Sequence, residues 1–107
     1  MIFIEITFTI PQKEEGEKII QELLEKHLIV CGQCHGPITS IFSWKGKIEK
    51  ASEWKISLKT QKILQNEVLT SIKSAHPYEV PEIVLTEKLS LNDHYSEWMK
   101  KELFVQD

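Results

Sequence analysis

Ser40-Ile41-Phe42-Ser43-Trp44-Lys45-Gly46-Lys47-Ile48 carries strand-forming side chains up to Lys45-Gly46 and away from it again. A lysine-glycine pair between two such runs reads as a tight hairpin turn, with the glycine supplying the positive φ. Beyond the turn, Trp54, Ile56 and Leu58 fall on one face and Glu53, Lys55, Ser57 and Lys59 on the other, the period of two of a strand. Before it, Leu28 to Cys31 begins a strand that Thr39 to Trp44 continues after an interruption at Gly36-Pro37. The arms therefore run from about Val30 to Thr60, well beyond the usual strand of roughly 5–6 residues. Such a tip must overhang the rest of its sheet and expose unpaired backbone, which proteins pair or cover. Strand pairing between subunits is the expectation; the alternative is a bulged hairpin folded back on itself at Gly36-Pro37.

Outward from the hairpin, the remaining elements follow from periodicity. Ile2, Ile4, Ile6, Phe8 and Ile10 share one face of a first strand, with Glu5, Thr7 and Thr9 opposite. Pro11 suits the first turn of a helix from about Gln12 to His27, whose stripe is Ile19, Ile20, Leu23, Leu24 and Leu28. Thr60 is placed to cap a second helix bearing Leu64, Val68, Leu69 and Ile72. A fourth strand spans about Glu82 to Glu87. Ser90-Leu91-Asn92-Asp93 then has the spacing of a capping box before a last helix with Tyr95, Trp98, Met99 and Leu103. The order β-α-β-β-α-β-α predicts an α+β, ferredoxin-like βαββαβ sandwich with an added C-terminal helix, as one domain over residues 1–107.

Composition narrows the function classes. All 13 basic residues are lysine, against 16 acids, for a formal net charge of −3. Without arginine there is no bidentate fork for phosphates or guanine edges, so nucleic acid is not an expected partner. The first ten residues alternate and include Glu5, which argues against a signal peptide or a membrane span. The expected compartment is the cytoplasm, where two cysteines stay reduced.

Ala75-His76-Pro77-Tyr78-Glu79-Val80-Pro81-Glu82-Ile83 gathers reactive groups into a segment that its prolines keep out of helix. It joins the second helix to the fourth strand, a place where binding groups often stand. Cys31-Gly32-Gln33-Cys34-His35 has the form of a c-type haem attachment site. It leads into a strand, where Cys31 and His35 share a face and Cys34 takes the other, so the thiols diverge and neither haem attachment nor a redox pair is favoured. Cys31 and His35 are suitable copper or zinc ligands and could converge, although two ligands make a weak site unless a neighbouring subunit adds more. Tyr95 and Trp98, three apart, read as core. His27 and His94 read as solvent-facing. No Ser-His-Asp set, phosphate-cradling glycine loop or HExxH motif is present, and no catalytic constellation is legible.

Several ordered motifs together resemble the CutA divalent-cation tolerance family. They are Ser40 to Ile48, Glu53 followed by Leu58-Lys59-Thr60, His76-Pro77-Tyr78 with Pro81-Glu82, and Tyr95 with Trp98; Cys31 falls where the family usually has a cysteine. The resemblance implies a ferredoxin-like subunit in a homotrimer of PII-like architecture. It implies a role in tolerance of, or response to, copper and other divalent metal ions, with copper bound by some members. In this sequence the metal candidates are His76, Cys31, His35 and Cys34. Trp44, Glu53, Lys59, Tyr78, Glu82, Tyr95 and Trp98 would gather near clefts between subunits. The alternative is a trimeric small-molecule sensor or scaffold using those clefts, with Lys59 and Glu53 binding a polar ligand and Tyr78 and Trp98 walling it. The sequence departs from the family pattern at Phe8 and Ala75, which stand where a metal-ligand cysteine and the first histidine of a His-His-Pro-Tyr motif occur, and at Gly32-Gln33-Cys34-His35.

Overall fold

A computed structural model describes residues 1–103. The chain runs β1 (Phe3–Ile10), α1 (Lys13–Glu25), β2 (Cys31–Trp44), β3 (Lys47–Gln61), a short 3-10 turn (Lys62–Leu64), α2 (Gln65–Ala75), β4 (Ile83–Thr86) and α3 (Asp93–Glu102). The four strands form one antiparallel sheet in the order β2-β3-β1-β4. Both βαβ halves interleave in that order, which is the expected ferredoxin-like topology.

Alternation on β1 decides which face is covered. Ile4, Ile6, Phe8 and Ile10 are fully buried and pack with Ile56 and Leu58 of β3 and with Ile19, Ile20, Leu23, Val68 and Ile72 from the two helices. Burying each such side chain contributes about 1.5–3 kcal/mol. Gly32 permits part of this approach: a Cβ there would stand 2.5 Å from Ile20 Cγ2, so α1 could not lie so close to β2 over any other residue.

The hairpin is a single long ribbon. Gly36-Pro37 does not interrupt β2 but makes a bulge between His35 and Ile38, and pairing with β3 continues to Trp44 opposite Lys47. Lys45 (φ 50°) and Gly46 (φ 78°) close the turn with the two positive φ angles of a primed hairpin turn. β1 ends at Ile10 opposite Trp54, so residues 47–53 of β3 have a partner on one side only. Fifteen residues of β3 at ~3.3 Å each reach ~50 Å, and the longest dimension of the molecule is 47 Å. The overhang is real, and the hairpin is not folded back on itself.

Boundaries differ from the sequence reading where a side chain found another partner. Ile2 lies outside β1 and is exposed. α1 stops at Glu25, with His27 in the left-handed region, so Leu28 is buried from the following loop rather than from the helix, and Leu24 is exposed. β2 starts at Cys31, although the Val30 amide still donates to the Lys59 carbonyl. Thr60 caps nothing: it is a buried residue of β3 whose hydroxyl donates to the Leu28 carbonyl at 2.6 Å, tying strand to loop. α2 instead begins after the 3-10 turn with Leu64 at its N-cap. The capping box at Ser90 does not form; Asn92 is the N-cap of α3 and makes no side-chain cap. β4 is shorter than expected, four residues at the sheet edge.

Candidate functional site

The His-Pro-Tyr segment wraps the end of β1. α2 stops at Ala75, and His76 turns extended (φ −77°, ψ 134°), as the proline after it requires. Its ring is 8% exposed. Nε2 lies 2.6 Å from the Thr9 carbonyl oxygen, and Nδ1 lies 3.1 Å from the Tyr78 amide nitrogen. A carbonyl only accepts and an amide N–H only donates, so the proton sits on Nε2 and the lone pair of Nδ1 is occupied. No ring nitrogen of His76 is free for a metal ion in this arrangement. The ring also stands edge-on to Phe8 (6.0 Å) and tilted against Tyr78 (4.9 Å).

So held, Tyr78 donates its hydroxyl to Glu53 Oε2 at 2.9 Å. Its pKa is pushed up from the ordinary 10 to about 12, first by burial, then by the hydrogen bond and charge of Glu53, with Glu15 of α1 adding to it. Glu53 shares the polar face of its strand with Lys55, Ser57 and Lys59, yet it is 5% exposed. The alternation is correct, but at Glu53 the strand has passed the end of β1 and Tyr78 closes over it.

A second group lies across the other end of the sheet. Register aligns Glu5, Lys59 and Cys31 on adjacent strands. Lys59 Nζ donates to Gln33 Oε1 at 3.2 Å and lies 3.7 Å from Glu5 Oε2. Cys31 meets Tyr95 of α3, whose hydroxyl is held above its ordinary range by burial first and then by the Cys31 thiol. Tyr95 in turn stacks on Trp98 at 5.4 Å. Trp98 itself is exposed, contrary to the core reading of this pair; Met99 and Leu103 take the buried side of α3. Glu82 is exposed ahead of β4. Trp44, at the hairpin tip, is exposed under Lys45, whose Nζ lies 5.6 Å from its ring. Within one chain the cleft candidates thus form two groups, with Trp44 and Glu82 outside both.

The metal candidates do not meet in one chain either. Cys34 points toward α1, where burial and then Glu17 push its thiol up, against an opposing effect of Lys13. Cys31 and His35 do share the opposite face, but four residues of regular ladder separate them by ~13 Å, too far for one ion. Among the described residues no three His, Cys, Asp or Glu side chains stand where they could hold a metal ion together. His94 and His27 are both exposed as expected, and His27 places Nδ1 3.1 Å from the Glu102 carbonyl, tying the turn after α1 to α3. Thr9, Glu5, Gln33 and Glu15 were not among the sequence candidates. For Glu5 and Gln33 the signal was available, since both fall on the Lys59 face once the register is known.

The fold and these groups can be set beside known proteins. A family profile described as CutA1 divalent ion tolerance protein matches residues 4–102. The chain belongs to that family. The divalent-cation tolerance protein CutA of Thermococcus kodakarensis is 40% identical over 96 residues, covering 90% of this chain and 91% of the relative. Human protein CutA is 36% identical over 93 residues, 87% of this chain, and the chain spans about half (52%) of its length. The solved structure of the periplasmic divalent cation tolerance protein CutA from Archaeoglobus fulgidus superposes with a TM-score of 0.89 at 34% identity, covering 94% of this chain and 97% of that one. The α+β sheet is thus shared with solved CutA structures. Among the described residues no helix is long and apolar enough to cross a membrane.

Proposed function

We propose that this CutA-family chain acts as a homotrimer in tolerance of divalent metal ions, binding copper or a similar ion weakly through residues that more than one copy contributes. One observation carries the reading. The overhanging hairpin leaves residues 47–53 of β3 paired on one side only and exposes Ile41, Phe42, Trp44 and Ile48. Unpaired strand edges and bare apolar side chains, here Ile41 with Ile48 on one face of the ribbon and Phe42 with Trp44 on the other, are what association between copies removes. With no three-ligand group among the described residues of one chain, a metal site needs a second copy. His35, exposed on β2, and Cys31, on the same face beside Tyr95, are the residues best placed to contribute. His76 serves instead to position Tyr78.

The role is binding rather than catalysis: the lone pair of His76 that a general base would use is taken by the Tyr78 amide. Free cysteines on opposite faces of β2 suit a reducing cytoplasm. Calorimetric titration of copper into the reduced protein tests the assignment. Replacing Cys31, Cys34 and His35 together (Cys31→Ser, Cys34→Ser, His35→Ala) is expected to weaken binding roughly tenfold or more, while His76→Gln leaves it unchanged. Unaltered affinity in the triple variant would remove these residues from the site.

A further inference from the structure

Glu53 is a buried acid with too little around it. Among the described residues its carboxylate receives one hydrogen bond, from the Tyr78 hydroxyl, and has no cation within ion-pair distance. Burying a carboxylate is unfavourable unless a positive charge or several donors replace the water it loses, and a single phenol does not replace a hydration shell. Lys13 is engaged over the Trp54 ring at 5.2 Å, and Lys55, two residues along β3, makes no ion pair with Glu53. The second carboxylate oxygen is not sealed off. The buried side-chain oxygen without a partner among the described residues is Gln65 Oε1, so Glu53 Oε1 keeps an opening to solvent.

The surroundings are preset for a cation. Glu15, in the first turn of α1, directs a second negative charge at the Tyr78 hydroxyl. Tyr78 is 37% exposed, its ring backed by His76 and its hydroxyl spent on Glu53 as a donor, which leaves the phenolic oxygen free to accept. His76 has no freedom to turn, because both its nitrogens are bonded. The site is therefore built before any ligand arrives.

We propose that Glu53 and Tyr78 bind the ammonium group of a small organic amine. The carboxylate accepts one N–H, the phenolic oxygen a second, and the aromatic ring flanks the charge. A divalent metal ion fits less well, since hard ions take six or more oxygens and soft ones take sulfur or imidazole, and neither set is present here. Both groups come from one chain, and Glu53 ends the 47–53 segment that the assembly reading pairs between copies, so binding and assembly are read together.

Calorimetry with n-butylammonium chloride tests it, with sodium butanoate and tetramethylammonium chloride as controls for the apolar chain and for a cation without N–H donors. Saturable binding of n-butylammonium is expected, weakened roughly tenfold or more in Glu53→Gln and severalfold in Tyr78→Phe, with both controls binding at least severalfold more weakly. Circular dichroism and mass of each variant establish that it is folded and in what assembly. Absence of saturable binding, equal binding by Glu53→Gln, or equal binding of butanoate would overturn the proposal. A partner subunit's lysine already paired with Glu53 would also overturn it, and would appear as no amine binding together with weakened assembly in Glu53→Gln. A monomeric wild type that still binds the amine would contradict the assembly reading alone.

Discussion

Ile56 and Ile48 lie eight residues apart on the same strand, one 0% and the other 80% exposed. The half of β3 from Trp54 onward lies between β2 and β1 beneath α1 and α2, whereas the half before it has only β2 beside it. Both halves are strand and both pair with β2, one on each side of the bulge between His35 and Ile38. Local structure is therefore equal in the two halves, and tertiary cover is not. Strand formation in the overhang rests on the Lys45-Gly46 turn and the pairing with β2; two-stranded ribbons of this kind are marginal in water unless something packs on them. The covered half supplies the stability of the chain, and the bare half carries the proposed association.

Truncating the same residue type in the two halves breaks or sharpens this contrast most strongly. Ile56→Ala should lower the unfolding free energy by about 2–5 kcal/mol, read from the urea midpoint. Ile48→Ala should change it by less than ~0.5 kcal/mol at protein concentrations where the chain is monomeric. Equal losses would mean that the overhang is packed within one chain after all.

A smaller effect is expected at the boundary between the halves, where the His-Pro-Tyr segment clamps the end of β1. His76→Ala leaves the buried Thr9 carbonyl and the Tyr78 amide without partners and should cost about 1–3 kcal/mol. Its signature is a loss confined to neighbours of Tyr78 and Glu53 in an amide-exchange map, with the hairpin tip unaffected. A change at the tip instead would join the two regions that the fold separates.

The smallest expected effect is a pH dependence. Tyr78 titrates at about 12 when folded against an ordinary 10, so the unfolded chain releases this proton first. Its contribution to stability is whole below pH 10 and is lost as pH rises toward 12. Ultraviolet difference titration should show Glu53→Gln bringing this tyrosine part of the way back, because burial, the larger cause, remains. An unmoved titration would detach Tyr78 from Glu53.

How much of this was legible depends on whether a property is periodic or relational. The alternation of Ile4, Ile6, Phe8 and Ile10, the Lys45-Gly46 turn and the helical stripes could be read directly, and they yielded the sheet, its order and the overhang. Caps could not, because Thr60 and Ser90 carry the right groups but Thr60 found a better acceptor in the Leu28 carbonyl. At the candidate site, the proline-stiffened segment was recognisable, yet the role of His76 was not: only the positions of Thr9 and the Tyr78 amide reveal that both its nitrogens are committed. The burial of Glu53 within one chain was not legible, because a strand pattern cannot show where a neighbouring strand ends. The separation of Cys31 from His35 is a matter of strand rise, and followed once β2 proved to be regular through that stretch.

Native mass spectrometry across a dilution series, on the wild type and on a variant carrying Ile41→Ser, Phe42→Ser and Ile48→Ser, tests most directly whether the overhang exists for association. The expected result is a wild-type species of three chains and a folded single chain for the variant. A wild type that remains one chain, or a variant that still assembles as three, would contradict it.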